Sequence, residues 1–160
     1  MDFKDKFAMS MNYIFGKGVS DILPLDNLEL SFSKRTGRIK SVMLEGKLLA
    51  TLRSNGSIAI TVYCANLLIK YPSFHDNCVV VENGPDNFVS NGRSVFAKHV
   101  VNCGDRVKPS SDVAILDEKG KVIGVGKAIL SAKMMRSFNR GVAVKVRESI
   151  NSTTETKVNA

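Results

Sequence analysis

The chain has 160 residues with 23 Lys/Arg against 15 Asp/Glu, a net charge of +8; that is room for one domain or two small ones and a bias toward an anionic partner. Its 44% hydrophobic and 24% charged content excludes a fully disordered chain, and its most apolar run, residues 58–69, is too short and too polar to span a bilayer. Three cysteines form no disulfide framework and the opening MDFKDKFAMS lacks the apolar core of a signal peptide, so a reduced, cytoplasmic protein without membrane association is expected.

Phe3, Phe7, Met11 and Ile14 recur at helical spacing, and Gly16 and Gly18 stop the pattern. Leu28, Leu30 and Phe32 alternate with polar residues as in a half-buried strand. Residues 39–44, 47–52 and 57–63 read as further strands, separated by the turn dipeptides Glu45–Gly46 and Asn55–Gly56. A short helix is predicted over Cys64–Lys70, ended by Tyr71–Pro72. The first half is thus an α+β unit with an antiparallel sheet, residues 1–72, and Pro72–Asn77 is the candidate linker.

Beyond it, strands are predicted at Val79–Val81, Ser94–Asn102, Val113–Asp117, Val122–Ile129 and Val142–Arg147. Short helices are predicted at Gly84–Val89 and Ser131–Phe138. Strands about ten residues apart argue for a small β-barrel over residues 73–148. The polar segment 149–160 is expected to be a disordered tail. The fold class is therefore α+β: a small α+β domain followed by a barrel.

Charge is concentrated in Lys119–Arg147, which carries eight Lys/Arg and no Asp or Glu. Period-two alternation places Val142, Val144 and Val146 on one face of the last strand, with Ala143, Lys145 and Arg147 on the other. Lys133, Arg136 and Arg140 share a side of the preceding helical piece, while Met134, Met135 and Phe138 are predicted to face inward. One-signed charge on adjacent elements points to a polyanion. The candidate RNA contacts are Lys127, Lys133, Arg136, Arg140, Lys145 and Arg147, with Arg93 and Lys98 extending the surface. Gly126 and Gly141 would let a phosphate or base approach the backbone, although turn or bulge geometry accounts for them equally well. A second contact surface is drawn at Lys34, Arg35, Arg38 and Lys40, where the competing explanation is a charged hairpin that keeps an edge strand from pairing.

The stretches FVSNGRSVFAK (88–98), GDRV (104–107), VAILDEKG (113–120), IGVGKA (123–128) and GVAVKVR (141–147) together resemble a PUA domain, a small RNA-binding β-barrel. In the first half, IFGKGVSD (14–21), RTGRI (35–39) and GKLLATLR (46–53) resemble the domain that precedes PUA in the archaeal archaeosine tRNA-guanine transglycosylases. Those enzymes carry their base-exchange chemistry on a TIM barrel, for which this chain has no room. The resemblance implies the tRNA-binding C-terminal portion of that family, standing alone. Its expected function is to bind RNA, tRNA foremost and by its acceptor-stem region, as a non-catalytic accessory to a separate tRNA-modifying enzyme. The alternative is a translation or ribosome-associated factor of pre-PUA plus PUA type.

No cofactor is expected. There is no P-loop, G-x-S-x-G or H-E-x-x-H motif, and Asp105 reads as a turn residue rather than a nucleophile. His75-x-x-Cys78 and His99-x-x-x-Cys103 are the only metal-like grouping, but without C-x-x-C knuckles they read as buried thiols and ordinary histidines, so no metal site is expected.

Overall fold

Alternating apolar residues in the first half close into a meander. In the computed structural model, which describes residues 2–152, the chain divides into two units, residues 1–74 and 75–160. The first opens with α1 (Phe3–Phe15), whose N-terminus is capped by Asp2 accepting from the Asp5 N–H at 2.8 Å. Phe7, Ala8, Met11 and Phe15 form its buried stripe. Phe15 thus takes the inward place predicted for Ile14, and its ring lies 5.9 Å from that of Phe74. Strands β1 (Leu28–Phe32), β2 (Ile39–Leu44), β3 (Lys47–Leu52) and β4 (Ile58–Ile60) follow as an antiparallel sheet in that order.

Helix α2 (Val62–Leu68) starts two residues earlier than predicted, and β4 is correspondingly short. The cause is Thr61. Its hydroxyl accepts from the Cys64 N–H at 3.1 Å, capping the helix, and donates to the carbonyls of Leu48 at 2.7 Å and Leu49 at 3.2 Å. Pro72–Asn77, expected as a linker, is a 3-10 helix.

The second unit contains β5 (Cys78–Val81), α3 (Asp86–Ser90), β6 (Val95–Phe96), β7 (Val100–Cys103), β8 (Asp112–Leu116), β9 (Val122–Ala128), α4 (Ala132–Ser137) and β10 (Val142–Ser149). Its sheet has the order β6-β10-β9-β8-β5-β7, with β5 and β8 parallel and the other pairs antiparallel. The predicted long strand Ser94–Asn102 is broken, because the chain changes partners within it. Val95–Phe96 pairs with β10 and Val100–Cys103 pairs with β5. The switch occurs in the 3-10 turn Ala97–His99. His99 is held there by its carbonyl, which accepts from the Glu82 N–H at 3.0 Å, and by an Nδ1 contact to Glu82 Oε1 at 2.7 Å. Because the two edge strands are joined by one short turn, the sheet curls into a nearly closed barrel.

Val79, Val81, Val95, Val113, Ile115, Ile123 and Val144 fill the barrel, covered by Val89 of α3 and Met135 of α4. Every residue of β8 is buried, as expected for a strand covered on both faces. The last strand also runs past the predicted boundary: Ser149 is its final, fully buried residue, and residues 150–152 are helical. Of the expected tail, 153–160 lie outside the described residues. Among the described residues no helix is long and apolar enough to cross a membrane.

Replacing Thr61 with Ala removes a helix cap and two strand contacts together, at an expected cost of about 1–2 kcal/mol. Thr61→Ser should recover most of it, read as the shift in urea midpoint.

Candidate nucleic-acid interface

The β9–β10 hairpin sets out the basic surface. Lys145 lies directly opposite Lys127, and Lys127 opposite Asp112 of β8, so the three occupy one row across the sheet. Both lysines are exposed. Like charges in register repel one another, a cost that an anion laid across the row would offset.

Arg147 behaves differently from its predicted neighbour. The register slips between Val146 and Glu148, leaving Arg147 in a bulge. From there its guanidinium reaches over β9 to Asp112, with Nη1 donating to Oδ1 at 2.5 Å and Nη2 to Oδ2 at 3.0 Å. The Asp112 side chain is 5% exposed and that of Arg147 31%. A carboxylate so buried needs a bidentate partner. Arg147 is therefore first a lock between β8 and β10. The outward row predicted for β10 is also shorter than the alternation implied, since Ala143 is fully buried.

Helix α4 is capped by Ser131, which accepts from the Met134 N–H at 3.2 Å. Arg136 leaves the helix to donate to the Cys103 carbonyl at 2.8 Å and to Asp105 Oδ1 at 2.7 Å. The Asp105 hydrogen bond raises the guanidinium above its already high range. Asp105 is thus a turn residue with a structural partner. Lys133 and Arg140 are exposed. Of the apolar residues predicted to face inward, Met135 does, but Met134 and Phe138 are 39% and 50% exposed; a helix this short has only one face against the barrel. Among the described residues, carboxylates of this unit engage His99, Arg136 and Arg147, and none is paired with Lys127, Lys133, Arg140 or Lys145.

The two glycines separate. Gly126 is buried, and a side chain there would meet the Lys145 carbonyl and lie 2.9 Å from the Val146 Cα. Its residue type answers to the close passage of β10. Gly141 is exposed, with φ +89° and nothing within 4 Å of an added Cβ. It makes the turn into β10 and leaves open space beside it.

Two aromatics escaped the sequence reading. Phe88 of α3 and Phe96 of β6 are 62% and 47% exposed. With Pro85, Arg93 and His99 they line a groove of about 610 Å³. Phe96 lies opposite Val142, beside Gly141, so the groove adjoins the strand that carries Lys145. The signal was present in alternation: Val95 and Ala97 are buried, which turns Phe96 outward. Arg93 and Lys98 are both exposed, and only Arg93 lines the groove.

In the first unit, Lys34, Arg35, Arg38 and Lys40 are exposed around the β1–β2 turn, which the Ser33 N–H closes onto the Arg38 carbonyl at 2.9 Å. The metal-like grouping stays apart in chemistry. Burial pushes the Cys78 thiol up to about 12 and raises that of Cys103, so both rest as neutral thiols. His99 is engaged by Glu82. Among the described residues no three His, Cys, Asp or Glu are placed to share an ion.

The bulge contact predicts a split between neighbours on β10. Arg147→Ala should lower stability by about 1.5–3 kcal/mol by removing the charge-assisted bidentate bonds to a buried carboxylate, whereas Lys145→Ala should stay within about 0.5 kcal/mol; thermal melts of the two variants would show it.

Comparison with known proteins agrees with this architecture. Residues 8–74 match the patch-forming domain C2 of tRNA-guanine transglycosylase, and residues 77–150 match the PUA domain. A tRNA-guanine(15) transglycosylase of Thermoplasma acidophilum is 33% identical over 148 residues, covering 90% of this chain and 23% of that enzyme. The chain therefore spans less than a quarter of that relative's length. Among solved structures, a hypothetical protein of Pyrococcus horikoshii superposes with a TM-score of 0.75 at 24% identity, covering 98% of this chain and 95% of the other. A conserved PUA domain protein of Thermoplasma acidophilum gives 0.66 at 21% identity, covering 93% and 91%. The fold of the whole described chain thus recurs in archaeal proteins of similar size. The barrel is a PUA domain, and the unit ahead of it is a C2 domain of the tRNA-guanine transglycosylase type.

Proposed function

We propose that this protein binds RNA, tRNA foremost, as a non-catalytic accessory to tRNA modification. The observation that carries the reading is the order of the two domains, C2 then PUA, at 33% identity over 148 residues to a tRNA-guanine(15) transglycosylase. The chemistry of the PUA unit is consistent with it. Lys127, Lys145, Lys133 and Arg140 offer positive charge to phosphates. Gly141 lets a backbone approach, and the Phe88–Phe96–Arg93 groove offers π-faces and a planar cation to an unpaired base.

That pairing of features favours an acceptor stem as the target. A duplex presents its phosphates to the lysines, and its unpaired 3′ end supplies bases for the aromatic groove. In this reading Arg147 and Arg136 hold the surface in shape, while Lys98 adds charge at its margin. The partner that acts on the tRNA is a separate modifying enzyme, to which this chain presents the substrate.

Two measurements test the reading with a tRNA transcript. Lys127→Ala/Lys145→Ala should weaken binding and reduce the slope of log K against log[salt] by about 1–2. Phe88→Ala/Phe96→Ala should cost about 1–3 kcal/mol for each base that stacks, leave the salt slope unchanged, and lose its effect on a transcript trimmed of its unpaired 3′ end. Unaltered binding in both variants, or no binding by the wild type at low salt, overturns the proposal.

A further inference from the structure

The aromatic groove of the PUA unit has polar groups that stacking does not use. Its lining side chains are apolar apart from those of Asn87, Arg93, Ser94 and His99. The Asn87 amide and the Ser94 hydroxyl can each donate and accept, so neither separates a partner that gives a hydrogen from one that takes it. Arg93, exposed at the groove, only donates. His99 is the remaining group, and its polarity is set from outside the groove.

Glu82 follows β5 and does not line the groove. Its Oε1 lies 2.7 Å from His99 Nδ1, and its N–H donates to the His99 carbonyl at 3.0 Å. A carboxylate only accepts, so Nδ1 is the nitrogen that carries the hydrogen, and the lone pair of the neutral ring falls on Nε2. Among the described residues Nε2 has no hydrogen-bond partner. The His99 side chain is 27% exposed and lines the groove. With Nδ1 turned to Glu82, the nitrogen left to the groove is Nε2, a fixed acceptor. Anchoring the 97–99 turn accounts for the bond to the His99 carbonyl, which any residue at that position would accept. It does not account for the bond from the ring, which needs this side chain and orients it beside Phe88, Phe96 and Arg93.

We infer that His99 is a specificity-determining residue of the groove, where Nε2 accepts from the exocyclic amino group of a stacked base and so favours cytosine over uracil. The two pyrimidines are of one size and offer similar π-faces, so stacking on Phe88 or Phe96 scarcely separates them. They differ at the edge. Cytosine presents an amino group, with a ring nitrogen and a carbonyl beside it as acceptors for Arg93. Uracil places a carbonyl oxygen where the amino group would be, lone pair against lone pair, and its N–H is recessed between two carbonyls. A site with a fixed acceptor rejects a base that lacks the matching donor, because both groups lose water and gain no bond. The inference rests on the reading of this groove as a base-stacking site and adds to it the class of base.

The test uses the full chain and two tRNA transcripts that differ only in their unpaired 3′ residues, all cytidine in one and all uridine in the other. Competition binding at one KCl concentration should favour the cytidine transcript by about tenfold, the worth of one net hydrogen bond. Glu82→Gln frees the Nδ1 hydrogen, because an amide can donate as well as accept, and His99→Gln replaces the fixed acceptor with a group that does both. Each should bring the ratio to within about twofold. The ratio compares two ligands on the same protein, so partial unfolding of a variant lowers both affinities alike and cancels. A wild-type ratio near one overturns the inference, as does a preference for uridine, which a ring protonated on both nitrogens would give. So does a ratio that survives both substitutions while affinity for both transcripts falls, since the pair then only holds the turn. In each of these cases, weaker binding of both transcripts by Phe88→Ala/Phe96→Ala leaves the stacking reading standing, and unaltered binding by that variant overturns both.

Discussion

A single short connection governs the second unit. β6 and β7 are successive in the chain but lie at opposite edges of a six-stranded sheet, joined by Ala97–His99. A flat sheet would hold its edges some 24 Å apart, at about 4.8 Å per strand spacing, which a three-residue turn cannot bridge. The sheet must therefore curl until its edges nearly meet. That curvature makes one interior from the apolar residues of β5, β6, β8, β9 and β10, and the Glu82–His99 contact holds the turn in place.

The exterior follows from the same closure. With the interior filled by the faces of β8, β9 and β10, charged side chains on those strands have only the outer surface available. Asp112 stands in that outer row but is buried there. Its neutralisation by Arg147 across β9 ties three strands together at the row where Lys127 and Lys145 stand side by side. A bulge at Arg147 is what permits the reach. The lysines are thus presented by a hydrogen-bonded sheet rather than by loops. Phe96 shares this support, since β6 is hydrogen-bonded to the start of β10.

The first unit uses a different construction. Its meander leaves edges at β1 and β4, and both the β1–β2 turn and the β3–β4 turn carry cations. α1 buries Phe7, Met11 and Phe15 and brings Lys6 to the groove that the two turns line.

Local pattern alone determined much of this. Helical spacing located α1, alternation located β1 and β10, turn dipeptides separated the strands of the meander, and an acid-free run marked the basic hairpin. The glycine-rich motifs carried the PUA resemblance. What the sequence could not decide was partnership. Nothing in Ser94–Asn102 announces that a strand will change neighbours halfway along, because pairing is a property of two distant segments. Nor does alternation distinguish Lys145, left exposed, from Arg147, drawn onto Asp112 thirty-five residues away, since a bulge depends on register between strands. Gly126 could not be assigned to packing until β10 was seen to pass against it. Lys6 and Arg53 join the turn cations only in three dimensions, where α1 and two turns meet at one end of the sheet. Charge and periodicity are local and can be read along the chain; which charges are neutralised, and which converge, is set by tertiary contacts between residues far apart in it.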